Sequence, residues 1–170
     1  MIKPRTKTVT LTFRREEILY DCRNYAYVEG DTMMTDDEHA RHQVMDIGED
    51  GNIDRVTRVL DLAFAHCVEL CYPYSKVEVE AATALDDTLQ ERSELVLGML
   101  VPDDFSQTTA ELLRRLIHEL LVYRVMEDWM SLTKPESTGK WAAKAEKAER
   151  EISSSLTFRV GRVRRPLRPF

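Results

Sequence analysis

Two consecutive apolar stripes with helical spacing, in the last third of the chain, most constrain its fold. The first lies between Thr108 and Met130, and the second between Thr133 and Leu156. Each stripe starts at an S/T-x-x-E capping box, and Pro135 stands early in the second helix, where proline is favoured. The pattern predicts two amphipathic helices that pack in a bundle. The apolar positions are Leu112, Leu113, Leu116, Ile117, Leu120, Leu121, Val125, Met126, Trp129 and Met130 in the first, and Trp141, Ala145, Ala148, Ile152 and Leu156 in the second.

Weaker helical patterns precede this pair. The segment 54–72 carries a wide apolar stripe that Pro73 ends, which predicts a largely buried helix. A shorter helix is predicted from Arg15 to Val28. The capping box that begins at Thr35 predicts a brief helix towards Met45, after which Gly48 and Gly51 are expected to break the chain.

Three segments have the alternation of a β-strand. Residues 6–13 place Val9, Leu11 and Phe13 on one face, and residues 76–81 and 94–101 alternate or are continuously apolar. The last two are expected to form a hairpin through residues 85–90. The predicted fold class is mainly α, a helical bundle with a few short antiparallel strands and an extended basic C-terminal arm.

Charge divides the chain into a body, residues 1–158, and an arm, residues 159–170. The arm holds five arginines and no acid, so removing it from the formal net charge of −6 leaves −11 on the body. Residues 29–54 contain nine acids against one arginine. Pro166 and Pro169 disfavour a helix in the arm. We therefore expect a single helical domain with a separate interaction arm.

Composition excludes several protein classes. The longest apolar run, Leu95–Val101, is far shorter than a membrane span. The first residues do not have the pattern of a signal peptide. Cys22, Cys67 and Cys71 are an odd number in a chain of 170 residues, so a disulfide scaffold is not expected. The expectation is a soluble, globular, cytosolic protein without membrane partners.

The segment Asp46–Thr57 partly matches an EF-hand calcium loop. Its third position is Gly48 and its twelfth is Thr57, so two carboxylate or amide ligands are missing. We interpret it as an acidic turn that caps the following helix, with Asp50 or Asn52 near the helix N-terminus. A metal-binding module at residues 36–54 remains a third, weaker hypothesis.

The histidines and cysteines complete no catalytic or metal motif. Val122 stands where a zinc-peptidase helix beginning at His118-Glu119 needs its second histidine, so His118 is expected to be partly buried with a hydrogen-bond partner. Cys67 and Cys71 are expected to be small core hydrophobes. His39 and His42 are one helical turn apart beside Asp36 and Glu38, where we expect a solvated acidic face rather than the alternative of an adventitious surface metal site. We expect no enzyme activity, no catalytic residues, no metal and no cofactor.

The arm is the strongest candidate for a binding segment. Its arginines could neutralise phosphates, although the acidic body would repel a nucleic acid, or the arm could add to a partner's sheet edge or lie in an acidic groove. A disordered basic tail fits the composition equally well. The predicted partner-binding residues are Arg159, Arg162, Arg164, Arg165, Leu167, Arg168 and Phe170.

The order of these elements resembles the head–tail connector proteins of tailed bacteriophages and prophages, also called adaptor or head-completion proteins. The resemblance rests on a buried helix, a variable β-containing stretch, the long helix LLRRLIHELLVYRVMEDWM, the Lys134-Pro-Glu start of WAAKAEKAEREISSSL, and the basic end. It covers mainly residues 107–170.

This resemblance implies a structural subunit of the virion at the head–tail junction, assembled in the bacterial cytoplasm. Subunits of that family form a ring, usually of twelve copies, that binds the portal and the tail or stopper proteins. DNA passes through the ring without specific binding. The residues themselves leave a second hypothesis open, a nucleic-acid-binding regulator that uses the arginine arm.

Overall fold

The two most apolar strand patterns pair with each other. In the computed structural model, which describes residues 6–77 and 79–158, β1 (Thr6–Arg14) and β2 (Glu94–Pro102) form an antiparallel ribbon in which Thr6 faces Pro102 and Arg14 faces Glu94. Leu11 and Phe13 of β1 are buried on the helix-facing side. The alternation of residues 6–13 therefore predicted a half-buried strand correctly. The continuously apolar run at 94–101 suggested a more buried strand, but β2 is buried on one face only, with Val96 and Leu100 exposed on the other.

The predicted hairpin is wrong. Residues 76, 77 and 79–81 form no strand, and β2 takes β1 as its partner instead. The alternation of Val77 and Val79 resembles that of a strand, but a strand needs a partner edge. Pairing of β1 with β2 forms one continuous apolar face that packs on the helices, so the apolar side chains of both strands are buried together.

Six α-helices lie in the described part of the chain, so a mainly α fold with a small antiparallel sheet is confirmed. None of these helices is long and apolar enough to cross a membrane. In order they are α1 (Arg15–Asp31), α2 (Glu38–Met45), α3 (Asp50–Leu70), α4 (Tyr72–Ser75), α5 (Gln107–Thr133) and α6 (Pro135–Ser155), with a 3₁₀ turn at Asp46–Gly48 between α2 and α3.

The predicted capping boxes do not form, although each marks a real helix start to within a few residues. Asp37, not Thr35, caps α2, and its carboxylate accepts hydrogen bonds from the backbone of His39 at 2.9 Å and Ala40 at 3.3 Å. Thr133 belongs to α5, where its hydroxyl donates to the carbonyl of Trp129 at 2.9 Å. Side-chain hydroxyls have several backbone partners within reach, which is why the motif alone misplaces the cap.

Two further boundaries differ from the prediction. α5 starts at Gln107, so Thr108 lies inside its first turn. α3 starts at Asp50 and includes Gly51, which therefore does not break the chain, and Glu49 in its N-cap position makes no side-chain capping bond. A glycine in the first turn costs little because the amide groups there have no helical partner.

α5 is the central element of the core. It packs against α1, α3 and α6, and Leu113, Ile117 and Leu120 are completely buried. The indole of Trp129 donates to the carbonyl of Val44 at 2.8 Å, which fixes α2 to α5. The predicted register of α6 is confirmed, since all five of its stripe residues are buried. Small residues in that stripe allow α6 to lie close along α5.

Candidate interaction surfaces

The residues that follow α6 lie beside α4. The hydroxyl of Tyr74, in α4, donates to the carbonyl of Leu156, the C-cap residue of α6, at 3.2 Å. Phe158, the last described residue, is half exposed. The seven partner-binding residues predicted in the arm, Arg159 to Phe170, lie outside the described residues. The described residues just before them are tied to α4 by one hydrogen bond and end at the surface.

The outer face of the ribbon is open. The register sets Thr8 opposite Leu100 and Thr12 opposite Val96, and both apolar side chains are more than half exposed, at 57% and 54%. The opposite face of the same ribbon is buried on the helices. The strands thus carry an uncovered threonine-rich face with two large apolar residues.

A long segment next to this ribbon has no regular structure. Residues 76, 77 and 79–93 belong to the connection between α4 and β2. They contain a turn but no helix and no strand. Val77 is 89% exposed, Val79 85% and Leu85 92%. Loops of this length without secondary structure are uncommon in compact domains, and those that occur are usually either functional or linker segments. The exposed apolar side chains give this one a surface to bind with.

A groove of about 530 Å³ runs between α3, α5 and the start of α6. Leu62 stands at its rim with 73% of its surface exposed. Arg124 donates to Glu127 at 2.7 Å and to Glu149 at 2.5 Å, and Glu149 also meets His66 at 3.1 Å. Because these acids already have basic partners, the groove offers an apolar rim rather than free negative charge for the arginine arm.

The most connected polar group in the described residues is Glu29, which the sequence did not single out. It is only 5% exposed. Its carboxylate accepts hydrogen bonds from Lys134 at 2.9 Å, Ser137 at 3.1 Å and Trp141 at 3.2 Å, and a short one from Lys140. Four donors around one carboxylate satisfy most of its acceptor capacity, so burial without water becomes possible.

The electrostatics of this cluster favour the charged carboxylate. Burial by itself would raise the pKa of Glu29, but the hydrogen bonds and charges of Lys140 and Lys134 lower it to about 2. One signal in the sequence pointed here. Glu29 follows Ile18, Cys22 and Ala26 at helical spacing, so an acid continues the buried stripe of α1.

An aromatic cage adjoins the cluster. The ammonium group of Lys144 lies 4.3 Å from the ring centre of Trp141 and 5.4 Å from those of Tyr25 and Tyr123. These contacts are cation–π interactions that draw α1, α5 and α6 together. Cages of this shape bind alkylammonium ligands elsewhere, but here the chain's own lysine fills the cage.

The histidine and the cysteines considered for catalysis or metal binding are paired or buried in the fold. His118 is 21% exposed and its Nε2 lies 2.7 Å from Asp21, as expected of a partly buried histidine with a partner. Cys22, Cys67 and Cys71 are free and buried, which confirms Cys67 and Cys71 as core residues. Burial raises the pKa of the Cys67 thiol to about 12 and that of Cys71 to about 11.

The calcium-like segment does not form an EF-hand loop. Residues 46–48 make a 3₁₀ turn and Asp50 already belongs to α3, while the Asn52 amide donates to the carbonyl of Asp46 at 2.8 Å. His39 contacts Gln43 rather than His42. Within residues 6–77 and 79–158, no group of three or more His, Cys, Asp or Glu side chains is arranged to hold a metal ion.

No protein-family model, curated protein or solved structure matches this chain.

Proposed function

We propose that this chain is a non-enzymatic structural subunit of a tailed-phage head–tail connector, which forms a ring between the portal and the tail. The observation that carries the proposal is the separation of charge, with five arginines and no acid in residues 159–170 and a net charge of −11 on the body. The hydrogen bond from Tyr74 to Leu156, just before residues 159–170, supports a role for those residues in binding a partner.

Ring closure needs two different adhesive faces on each subunit, because head-to-tail contacts are heterologous. Two exposed apolar surfaces on separate elements support this arrangement. One is the outer face of the ribbon, with Val96 and Leu100. The other is the rim of the α3–α5 groove at Leu62, together with Leu132 at the end of α5, which is 56% exposed.

The acidic body suits a channel through which DNA moves. Negative charge repels the phosphate backbone and so prevents the DNA from sticking to the wall. The basic arm, in turn, suits an acidic surface on the portal. Charge complementarity of this kind raises association rates and fixes orientation more than it adds affinity.

The test is co-assembly with the portal protein encoded in the same genome, followed by negative-stain electron microscopy. We expect rings on the portal, and loss of portal binding when the five arm arginines are replaced by glutamine. The control variant carries lysine at these five positions and keeps the charge. A chain that stays monomeric in the presence of the portal and does not bind it would contradict the proposal.

The arginines also support a second candidate, a nucleic-acid-binding regulator. Several phosphate contacts would give an affinity that falls steeply as salt increases. Fluorescence anisotropy with labelled DNA and RNA separates the two functions. Binding at low salt that disappears on deletion of residues 159–170 favours the regulator, and absence of binding at low salt removes it.

A further inference from the structure

We infer that Val77 and Val79 belong to a strand that one copy of the chain adds to the free edge of β1 in a neighbouring copy. This inference rests on the self-assembly in the proposed function and names the contact that would join the subunits. It starts from a mismatch. The sequence Lys76-Val-Glu-Val-Glu has strand alternation, yet its two valines are 89% and 85% exposed and none of residues 76, 77, 79 and 80 is in a strand.

β1 offers the complementary edge. Among the described residues it pairs with β2 alone, so alternate backbone N–H and C=O groups along its other side face away from the ribbon. Its sequence, TKTVTLTFR, contains no glycine or proline and is rich in β-branched residues. A long, regular edge of this kind is a template for strand addition.

Charge selects both the edge and the occupant. β1 carries Lys7 and Arg14 and no acid, whereas β2 carries Glu94 and no base. Residues 76–93 carry five acids against two bases. An acidic strand is therefore attracted to β1 and repelled by β2. The arginine arm, the other candidate for an extended strand, has the wrong sign for β1.

The free edge of β2 is also less suitable because of its sequence. That strand contains Gly98 and ends at Pro102. Proline cannot donate to a ladder and glycine weakens one. On β1, an added strand would place its valines beside Thr8, Thr10 and Thr12 and extend the exposed apolar face that Val96 and Leu100 begin.

Cross-linking of full-length chains tests the contact. One preparation carries Val79→Cys and the other carries Thr8→Cys, Thr10→Cys or Thr12→Cys, since neighbouring residues of paired strands lie within the range that a disulfide spans. The native Cys22, Cys67 and Cys71 are buried and do not interfere. We expect a mixed disulfide dimer at one of the three threonine positions. No mixed dimer at any of them overturns the inference.

A chain that carries both cysteines distinguishes the copies. A link between chains supports addition to a neighbour. A link within a monomer shows that the segment pairs with its own β1, and that result overturns the inference.

A proline variant measures the contribution of the ladder. Val79→Pro removes a backbone donor, and the loss of about one or two hydrogen bonds weakens self-association about tenfold in sedimentation velocity. The matched control is Leu85→Pro, in the same segment, at a residue that is 92% exposed and outside the alternation. Equal effects of the two variants, or a wild-type chain that is monomeric at every soluble concentration, overturn the inference.

These outcomes separate the strand contact from the proposed function. Rings that assemble on the portal unchanged by Val79→Pro leave the connector proposal standing and remove the strand contact. Chains that cross-link and self-associate but neither form rings nor bind the portal support the strand contact and remove the connector proposal.

Discussion

The carboxylate of Glu29, in α1, lies 2.9 Å from the ammonium nitrogen of Lys134, a residue 105 positions later in the chain. Lys134 is the single residue between α5 and α6, and its ammonium group also donates to the backbone carbonyl of Glu29 at 3.1 Å. One buried acid in the first helix therefore holds the turn between the last two. Because its other partners, Ser137, Lys140 and Trp141, all lie on α6, the cluster fixes where that helix starts along the bundle.

Substitution of Glu29 tests the strength of this link. Glu29→Gln leaves the ammonium groups of Lys134 and Lys140 without their counter-charge beside a buried site, so we expect the free energy of unfolding to fall by about 2 to 4 kcal/mol. Urea denaturation measures it. Glu16→Gln, on the exposed face of the same helix, is the control and should change stability by no more than about 0.5 kcal/mol. Equal effects would show that the cluster adds nothing.

Acid should weaken the protein through the same residue. The pKa of Glu29 is about 2 in the folded chain against an ordinary value of 4.5, so its contribution is complete above about pH 4.5 and is lost as the pH falls towards 2. The contribution is on the order of 3 kcal/mol at most, because Lys140 is half exposed and solvent screens it. Unfolding curves recorded between pH 5 and pH 2.5 should converge for the wild type and Glu29→Gln. Parallel curves would contradict the assignment.

Two helical glycines should respond oppositely to alanine. A Cβ at Gly30 would lie 2.8 Å from Cγ of Met45 and 2.9 Å from the carbonyl oxygen of Arg41, where α1 meets α2. Gly30→Ala should therefore destabilise the fold by about 1 to 3 kcal/mol. At Gly139, in α6, nothing lies within 4 Å, and Gly139→Ala should stabilise it by about 0.5 to 1 kcal/mol. Thermal unfolding followed by circular dichroism gives both signs.

The aromatic cage should contribute measurably to stability. Lys144→Met keeps the apolar stem and removes the charge from the three rings, so we expect a loss of about 1 kcal/mol in chemical denaturation. Lys147→Met is the matched control, because Lys147 is 73% exposed and has only a 3.8 Å contact with Glu151. If the cage does not contribute to stability, both variants will change the free energy of unfolding by the same small amount.

The sequence by itself determined most of the helical stretches and most of the faces they bury, although it missed α4 and placed Leu112, which is 41% exposed, in the buried stripe of α5. The stripe from Trp141 to Leu156 and the alternation of Leu11 and Phe13 predicted their burial correctly, because each pattern reflects the period of one element against a single apolar interior. The partial burial of His118 and the burial of Cys67 and Cys71 were likewise predicted from their positions in local sequence patterns.

Only the tertiary structure decided which elements meet. It paired β2 with β1 rather than with the nearer residues 76–81, and it brought Glu29 to the lysines that begin α6. Local periodicity cannot rank distant partners, since their energies depend on which apolar faces are buried together and which charges are desolvated in pairs. That is why a buried acid looked like part of an acidic segment, and why two valines with a strand's alternation pair with no strand in the described part of the chain.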